Sequence, residues 1–238
     1  MELYFTNPDN INDDDAVFDD FEKRHLLRTM RKKINEEINF TDGTGKLYKG
    51  KIVQTAPVLK VKSELVEKFE QSSKSFALGI GFIRHSRMDF IIEKGTELGV
   101  NIFYLFASNN SNYYTKNITH WEKIARQAMK QSLRYFLPQI IPCPSIKIFI
   151  ENLFDTKLKF FGAQDAELNL TTFLNGQKLN KKEKVVFAIG PEGGFDSNET
   201  IRLRENNFIP VKLGSHRLRT ETAAITAASL INLTRNIN

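Results

Sequence analysis

Two short segments of the chain hold residue types that could do chemistry. In the first, Gly190-Pro191-Glu192-Gly193-Gly194-Phe195 follows the apolar run Lys184 to Ile189 and precedes Asp196, with Glu199 three residues further on. Asp and Glu at that spacing read as a helix capping box. The glycines then sit in a strand-to-helix turn at the carboxyl end of a strand, where open α/β sheets bind ligands. Pro191 pre-sets one backbone angle, and the paired glycines permit positive φ and close approach of a ligand. A turn that holds nothing would satisfy the same pattern. In the second segment, Val211-Lys212-Leu213-Gly214-Ser215-His216 leads from a strand into Arg217-Leu218-Arg219-Thr220-Glu221-Thr222-Ala223-Ala224 at a helix start. Thr220 as a cap and Glu221 as a complement to the helix dipole are ordinary. Arg217 and Arg219 are not, because a cation is disfavoured at the positive end of a helix. An anionic substrate held there would account for both arginines.

Other chemistries find little support. No G-x-x-x-x-G-K-[ST] phosphate loop is present. Gly79-Ile80-Gly81 begins a dinucleotide fingerprint that fails at Arg84, where the third glycine should stand. The four histidines, His25, His85, His120 and His216, lack metal-ligand spacing, so no metal is expected. The single cysteine, Cys143, lies between Pro142 and Pro144 with nothing nearby in sequence to activate it. It also has no partner for an internal disulfide, which points to a reducing, cytoplasmic setting. No apolar stretch reaches the ~18 residues of a membrane helix, and the first residues lack the basic start of a signal peptide.

Charge points to a polyanion. The chain carries 34 Lys and Arg against 28 Asp and Glu, a net +6. Residues 1–22 hold eight of the acids and no base, so the remaining chain balances 34 bases against 20 acids. A basic body of this kind suits nucleic acid.

The positioning elements follow from periodicity. Short alternating stretches at Leu3 to Phe5, Lys49 to Gln54 and Val58 to Lys62, with a turn at Asp42-Gly43-Thr44-Gly45, read as strands around one helix. Asp19 and Asp20 can cap that helix, whose basic run is Lys23 to Lys33. Leu26, Leu27, Met30 and Ile34 then face the strands, and Arg24, Arg28 and Arg31 share another face. Composition turns polar over 64–75, which places a boundary there. Beyond it strand and helix signals alternate: helices over Met88 to Leu98 (closed by Gly99) and Trp121 to Leu133, strands at Ile102 to Phe106, Leu158 to Phe161 and Phe208 to Leu213, and a terminal helix over Thr222 to Leu233. Such alternation predicts an α/β domain with a mostly parallel sheet.

The two glycine segments, taken together and in order, resemble the ribosomal RNA uridine-N3 methyltransferase family, which acts on the small-subunit RNA and belongs to the SPOUT class. His25-Leu26-Leu27-Arg28 and Thr41-Asp42-Gly43-Thr44-Gly45 look like the family's N-terminal module. Glu93-Lys94-Gly95-Thr96-Glu97-Leu98-Gly99-Val100 looks like its first helix, with Gly95 where alanine is usual. Ala128-Met129-Lys130-Gln131-Ser132-Leu133-Arg134 stands where many members have E-Q-S/C-G-R, so Lys130 and Leu133 depart from the pattern.

The resemblance implies a PUA-like RNA-binding β-barrel over residues 1–70 and a SPOUT α/β domain with a trefoil knot over 74–238, working as a homodimer. It implies S-adenosyl-L-methionine as methyl donor, bound by Phe161 and Gly162 of one loop, by Ile189, Gly190, Pro191, Glu192, Gly193 and Gly194 of a second, and by Leu213, Gly214, Arg217, Leu218 and Thr220 of a third. Arg219 would hold a uracil oxygen or an adjacent phosphate. Glu221 would either take the imide proton or only complement the helix dipole. The RNA, free or in the assembled 30S subunit, would meet Arg24, His25, Arg28, Arg31, Lys32, Arg84, Arg87 and Arg134. A SPOUT enzyme with a transfer-RNA substrate, and a non-catalytic RNA-binding assembly protein, are the competing readings.

Overall fold

The computed structural model describes residues 2–70, 76–111, 113–176 and 183–237. The chain divides into two compact units, one of residues 1–71 with 126–137, the other of 72–125 with 138–238. The sequence-based division was contiguous, so segment 126–137 is a difference from it. The polar stretch that marks the boundary runs on into 71–75, which lies outside the described residues.

The first unit is built on β1 (Leu3–Phe5), β2 (Ile11–Asn12), β3 (Asp15–Phe18), α1 (Asp20–Arg24), β4 (Glu37–Thr41), β5 (Lys46–Gln54) and β6 (Leu59–Lys68). Its strands form one sheet in the order β1-β4-β5-β6-β3-β2, parallel between β1 and β4 and antiparallel elsewhere. No closed barrel forms among the described residues. Burial alternates along β5 and the first half of β6, as expected of a sheet wet on one face. The dry face packs Tyr4, Phe18, Phe40, Ile52, Leu59 and Val61 against Leu26, with Leu27 and Met30 at the margin.

The helix of this unit departs from its sequence reading. It runs as α-helix only to Arg24 and then opens into a wider turn over His25–Thr29, where the Met30 N–H reaches the His25 carbonyl. Arg31 then adopts φ +56, in the left-handed region that ends helices. Arg31 therefore does not share a helical face with Arg24 and Arg28, and Ile34 is 52% exposed instead of facing the sheet.

Segment 126–137 joins this unit through charge. Asp19 caps α1 by accepting from the Glu22 N–H at 2.8 Å, and its other oxygen accepts from Arg126 at 3.2 Å. Glu22, three residues on, is fully buried and ion-paired with Lys130. Arg126 and Lys130 lie four residues apart on one helix face, so one pair of acids meets one pair of bases. The Arg126 guanidinium also lies 4.4 Å over the Phe5 ring.

The second unit alternates strand and helix: β7 (Phe76–Gly81), α2 (His85–Glu97), β8 (Ile102–Phe106), α3 (Thr119–Gln131, whose second half is the segment just described), β9 (Gln139–Cys143), α4 (Ile146–Glu151), β10 (Leu158–Gly162), α5 (Leu170–Gly176), β11 (Val185–Ile189), α6 (Ser197–Glu205), β12 (Phe208–Val211) and α7 (Thr220–Ile237). Its sheet has the order β12-β10-β11-β7-β8-β9 and is parallel throughout. Central strands β7 and β11 are buried along their whole length, the mark of a sheet covered on both faces. Helices α2 and α7 pack together, and α7 also touches β7 and β11. Ala223, Ala224, Ala227 and Ala228 are buried in that packing, so the small-residue face of the terminal helix serves the protomer itself. Gly95 has a local reason too: a Cβ there would stand 2.7 Å from the Phe103 ring, which fills the space of the usual alanine.

Candidate donor and substrate site

The sheet order changes direction between β7 and β11, and at such a point the loops leaving the carboxyl ends diverge and leave a crevice. On one side of this point, adjacent strands β12, β10 and β11 release at the same carboxyl edge the three loops that the family resemblance assigns to the donor. Phe161 and Gly162 end β10, with the Phe161 ring in the core and Gly162 half-buried. Past β10 the chain pairs with the end of β12: the Ala163 N–H reaches the Val211 carbonyl at 3.0 Å, and Lys212 exchanges bonds with Leu168 and Leu170.

Ile189, which ends β11, and the following Gly190 and Pro191 are buried, Glu192 and Gly193 are exposed, and Gly194 takes φ +73. The turn is tight. A Cβ on Gly190 would stand 2.8 Å from the Gly194 carbonyl carbon, and one on Gly81 of β7 would stand 2.6 Å from the Pro191 ring. The loop is clamped by the segment after β8 as well, since Asn110 donates to the Gly194 carbonyl at 3.1 Å. Asp196 and Glu199 form the expected capping box on α6. Buried Glu199 further accepts from the Ser108 hydroxyl at 2.9 Å and the Asn109 N–H at 3.0 Å. The Asn109 amide bonds Asp196 at 2.6 Å, and this bond holds the Asp196 carboxyl below its ordinary range. Sequence reasoning missed this loop; only the polar run Ser108-Asn109-Asn110-Ser111 after a strand could have signalled it.

Beyond β12, Leu213 and Gly214 are half-buried, and a Cβ on Gly214 would meet no atom within 4 Å. Leu218 is half-buried; Arg217 and Arg219 are exposed. The Arg219 carbonyl accepts from the Ala223 N–H at 2.8 Å, so Arg219 occupies the cap position of α7. Thr220, expected as the cap, is buried and instead donates its hydroxyl to the Gly190 carbonyl at 3.1 Å, tying the second loop to the third. Arg217 makes a second tie, to the Glu192 carbonyl at 3.2 Å.

Arg87, assigned by sequence to the RNA surface, reaches from α2 into this site. It donates to the Glu192 carboxylate at 3.1 Å, and its Nε lies 3.7 Å from Glu221. The second Glu221 oxygen is buried without a hydrogen-bond donor among the described residues. One edge of the sheet thus gathers an exposed cap-position arginine, a carboxylate with an idle oxygen, a guanidinium beside it, and an open space at a glycine. This constellation can hold an anion or a polarised carbonyl at the helix start and accept one proton.

The remaining assigned residues lie elsewhere. In the second unit Arg84 is exposed at the cap of α2. In the first unit Arg24 and Arg28 are exposed, Lys32 is half-buried, and His25 lies 6.0 Å from the Tyr4 ring. Arg134 is half-buried, and desolvation draws its pKa down. Cys143 is buried and its thiol is pushed up to about 11, which suits an inert side chain. Among the described residues no group of His, Cys, Asp and Glu is arranged to hold a metal ion, and no helix is long and apolar enough to cross a membrane.

A family model described as RNA methyltransferase domain matches residues 70–232. A ribosomal RNA small subunit methyltransferase E of Aquifex aeolicus is 30% identical over 207 residues, covering 79% of this chain and 83% of its own. One of Buchnera aphidicola is 27% identical over 219 residues, 88% of this chain and 86% of its own. The crystal structure of a ribosomal RNA small subunit methyltransferase E from Neisseria gonorrhoeae bound to S-adenosyl methionine matches with a TM-score of 0.85 at 25% identity, over 98% of this chain and 97% of that one.

Proposed function

Because the chain belongs to the ribosomal RNA small subunit methyltransferase E family, we propose that it transfers the methyl group of S-adenosyl-L-methionine to N3 of a uridine in 16S ribosomal RNA. One observation carries the reading: adjacent strands β10, β11 and β12 deliver to one edge the three loops that the donor requires. The residues fit such a ligand. Gly214 faces open space, and the ties from Thr220 and Arg217 hold the second and third loops together.

The donor supplies an electrophilic methyl group on a sulfonium sulfur. The chain supplies the rest. Main-chain groups of Leu213, Gly214 and Leu218 would hold the adenine of the donor. Arg219 projects from the cap of α7 and holds a uracil oxygen as negative charge develops on the ring, with the free N–H groups of the helix start adding to the same field. The idle Glu221 oxygen accepts the imide proton, and Arg87 keeps the carboxylate aimed. Holding both reactants in line supplies much of the remaining rate.

In the same reading the first unit is a PUA-like module that grips RNA phosphates through Arg24 and Arg28, the second carries a trefoil knot at the donor loops, the enzyme works in the cytoplasm, and two copies form a homodimer. Phe90 of α2 and Leu233 of α7, 45% and 56% exposed on helices that pack together, offer the dimer an apolar surface.

The test is to incubate the protein with donor and small-subunit RNA, digest the RNA and look for N3-methyluridine by mass spectrometry. Gly214→Val should stay folded, because its Cβ meets no atom, yet lose donor binding by calorimetry and all product. Wild-type protein that binds donor and RNA but yields no N3-methyluridine would sink the proposal.

A further inference from the structure

At the amino end of α2 the second unit carries a set of rings that the donor site does not use. The His85 imidazole is exposed and lies against the indole of Trp121, with centroids 5.3 Å apart and planes 22° from parallel. The half-buried Tyr113 ring stands 4.7 Å from His85, and its hydroxyl is hydrogen-bonded to His85 Nε2. Beneath them Trp121 is fully buried and donates its indole N–H to Asp89 at 2.9 Å. Asp89 also bonds His120 at 3.0 Å. One wet imidazole is thus fixed from below by a buried indole and from the side by a phenol, which leaves a rigid aromatic surface facing solvent.

Its place in the fold gives the surface a use. His85 opens α2, directly after the carboxyl end of β7, and β7 is the sheet neighbour of β11, whose loop carries Glu192. Arg87, two residues on, is bonded to that Glu192, so ring cluster and donor loop share one edge of the sheet. Exposed Arg84 precedes the cluster and offers a cation for a phosphate. An enzyme that modifies a ring nitrogen on the pairing edge of a base must take that base out of its stack. Unstacked RNA bases are held on aromatic and histidine planes beside basic groups.

We propose that His85, braced by Trp121 and Tyr113, is the stacking platform for an unstacked base of the RNA substrate. The proposal rests on the methyltransferase reading and adds to it a binding subsite on α2. Two probes separate base stacking from phosphate attraction: oligouridylate and the ribose-phosphate oligomer of equal length without bases. Wild-type protein should prefer the first by roughly 5- to 150-fold, the range for one base–aromatic stack. In His85→Ala that ratio should fall by at least about fivefold, leaving only the base contacts made at Arg219, in His85→Phe it should survive, and the affinity for S-adenosylmethionine should be unchanged in both. An unchanged ratio in His85→Ala, or loss in His85→Phe equal to that in His85→Ala, overturns the platform. Methylation of small-subunit RNA by the wild type is measured alongside. Its absence would refute the enzyme reading, whereas methylation with an unchanged ratio would refute the platform alone.

Discussion

The donor loops and segment 128–134 answer differently to departures from the family pattern. Around Gly190 backbone approaches backbone, so the residue type is dictated by atoms that cannot move aside. In 128–134 two positions depart from the family pattern, and their surroundings accommodate them. Lys130, where a carboxylate is usual, is met by buried Glu22. Leu133, where glycine is usual, keeps the backbone that glycine would give, with φ +53. The contrast separates a constraint of shape, fixed by backbone atoms, from a charge that is balanced by an opposite charge within the same unit.

Three substitutions press on that contrast. Lys130→Ala should have the largest effect. It leaves Glu22, whose side chain is fully buried, without its cation, and breaking a buried pair costs about 3–5 kcal/mol. Burial already drives the Glu22 carboxyl upward against the pull of Lys130. Urea denaturation should show the loss, and adding Glu22→Gln should recover part of it. Full stability in Lys130→Ala would mean that the Glu22–Lys130 pair does not hold segment 126–137. Gly190→Ala comes next. A methyl group forced to 2.8 Å from the Gly194 carbonyl carbon should cost about 1–3 kcal/mol and weaken donor binding with it. A variant with wild-type melting temperature and donor affinity would show that the loop can open. Leu133→Gly is smallest and of opposite sign. Left-handed backbone costs a non-glycine residue about 1–2 kcal/mol, partly offset by the chain entropy of glycine. The melting temperature should therefore rise by a few degrees at most; a fall would show that the half-exposed leucine packs more usefully than its strain costs.

Legibility in the sequence followed the same physical divide. Buried parallel strands read as apolar runs, so β8, β10 and β11 were visible, and so was the capping box that follows the Gly190–Phe195 loop. Gly99, with φ +89, marks the end of α2 as its sequence position suggested. The sequence reading marks no strand at β9, where Pro142 weakens the strand signal. It is an edge strand, where a missing N–H is tolerated, and the other edge strand, β12, carries Pro210. The basic helix was read too long because apolar spacing cannot register a wide turn at His25–Thr29 or the left-handed Arg31. The ties across the site were invisible for another reason. Thr220 bonds Gly190 and Arg87 bonds Glu192 over long stretches of chain, and local pattern carries no information on such pairs. Thr220 looked like a cap because its neighbours were right for one; its hydroxyl went to a carbonyl that only the folded chain brings near.

The strand order also sets a timetable for biosynthesis. Strand β7 finds its neighbour β8 soon after both are made, but its other neighbour, β11, is separated from it by β8, β9 and β10. The second and third loops are not tied until Thr220 exists, and the apolar flank of β7 and β11 stays open until the alanines of α7 cover it. Non-local pairing of this kind is slow and leaves sticky surface exposed meanwhile. A growing chain therefore holds an incomplete sheet until α7 is made, and the tie between the second and third loops forms only then.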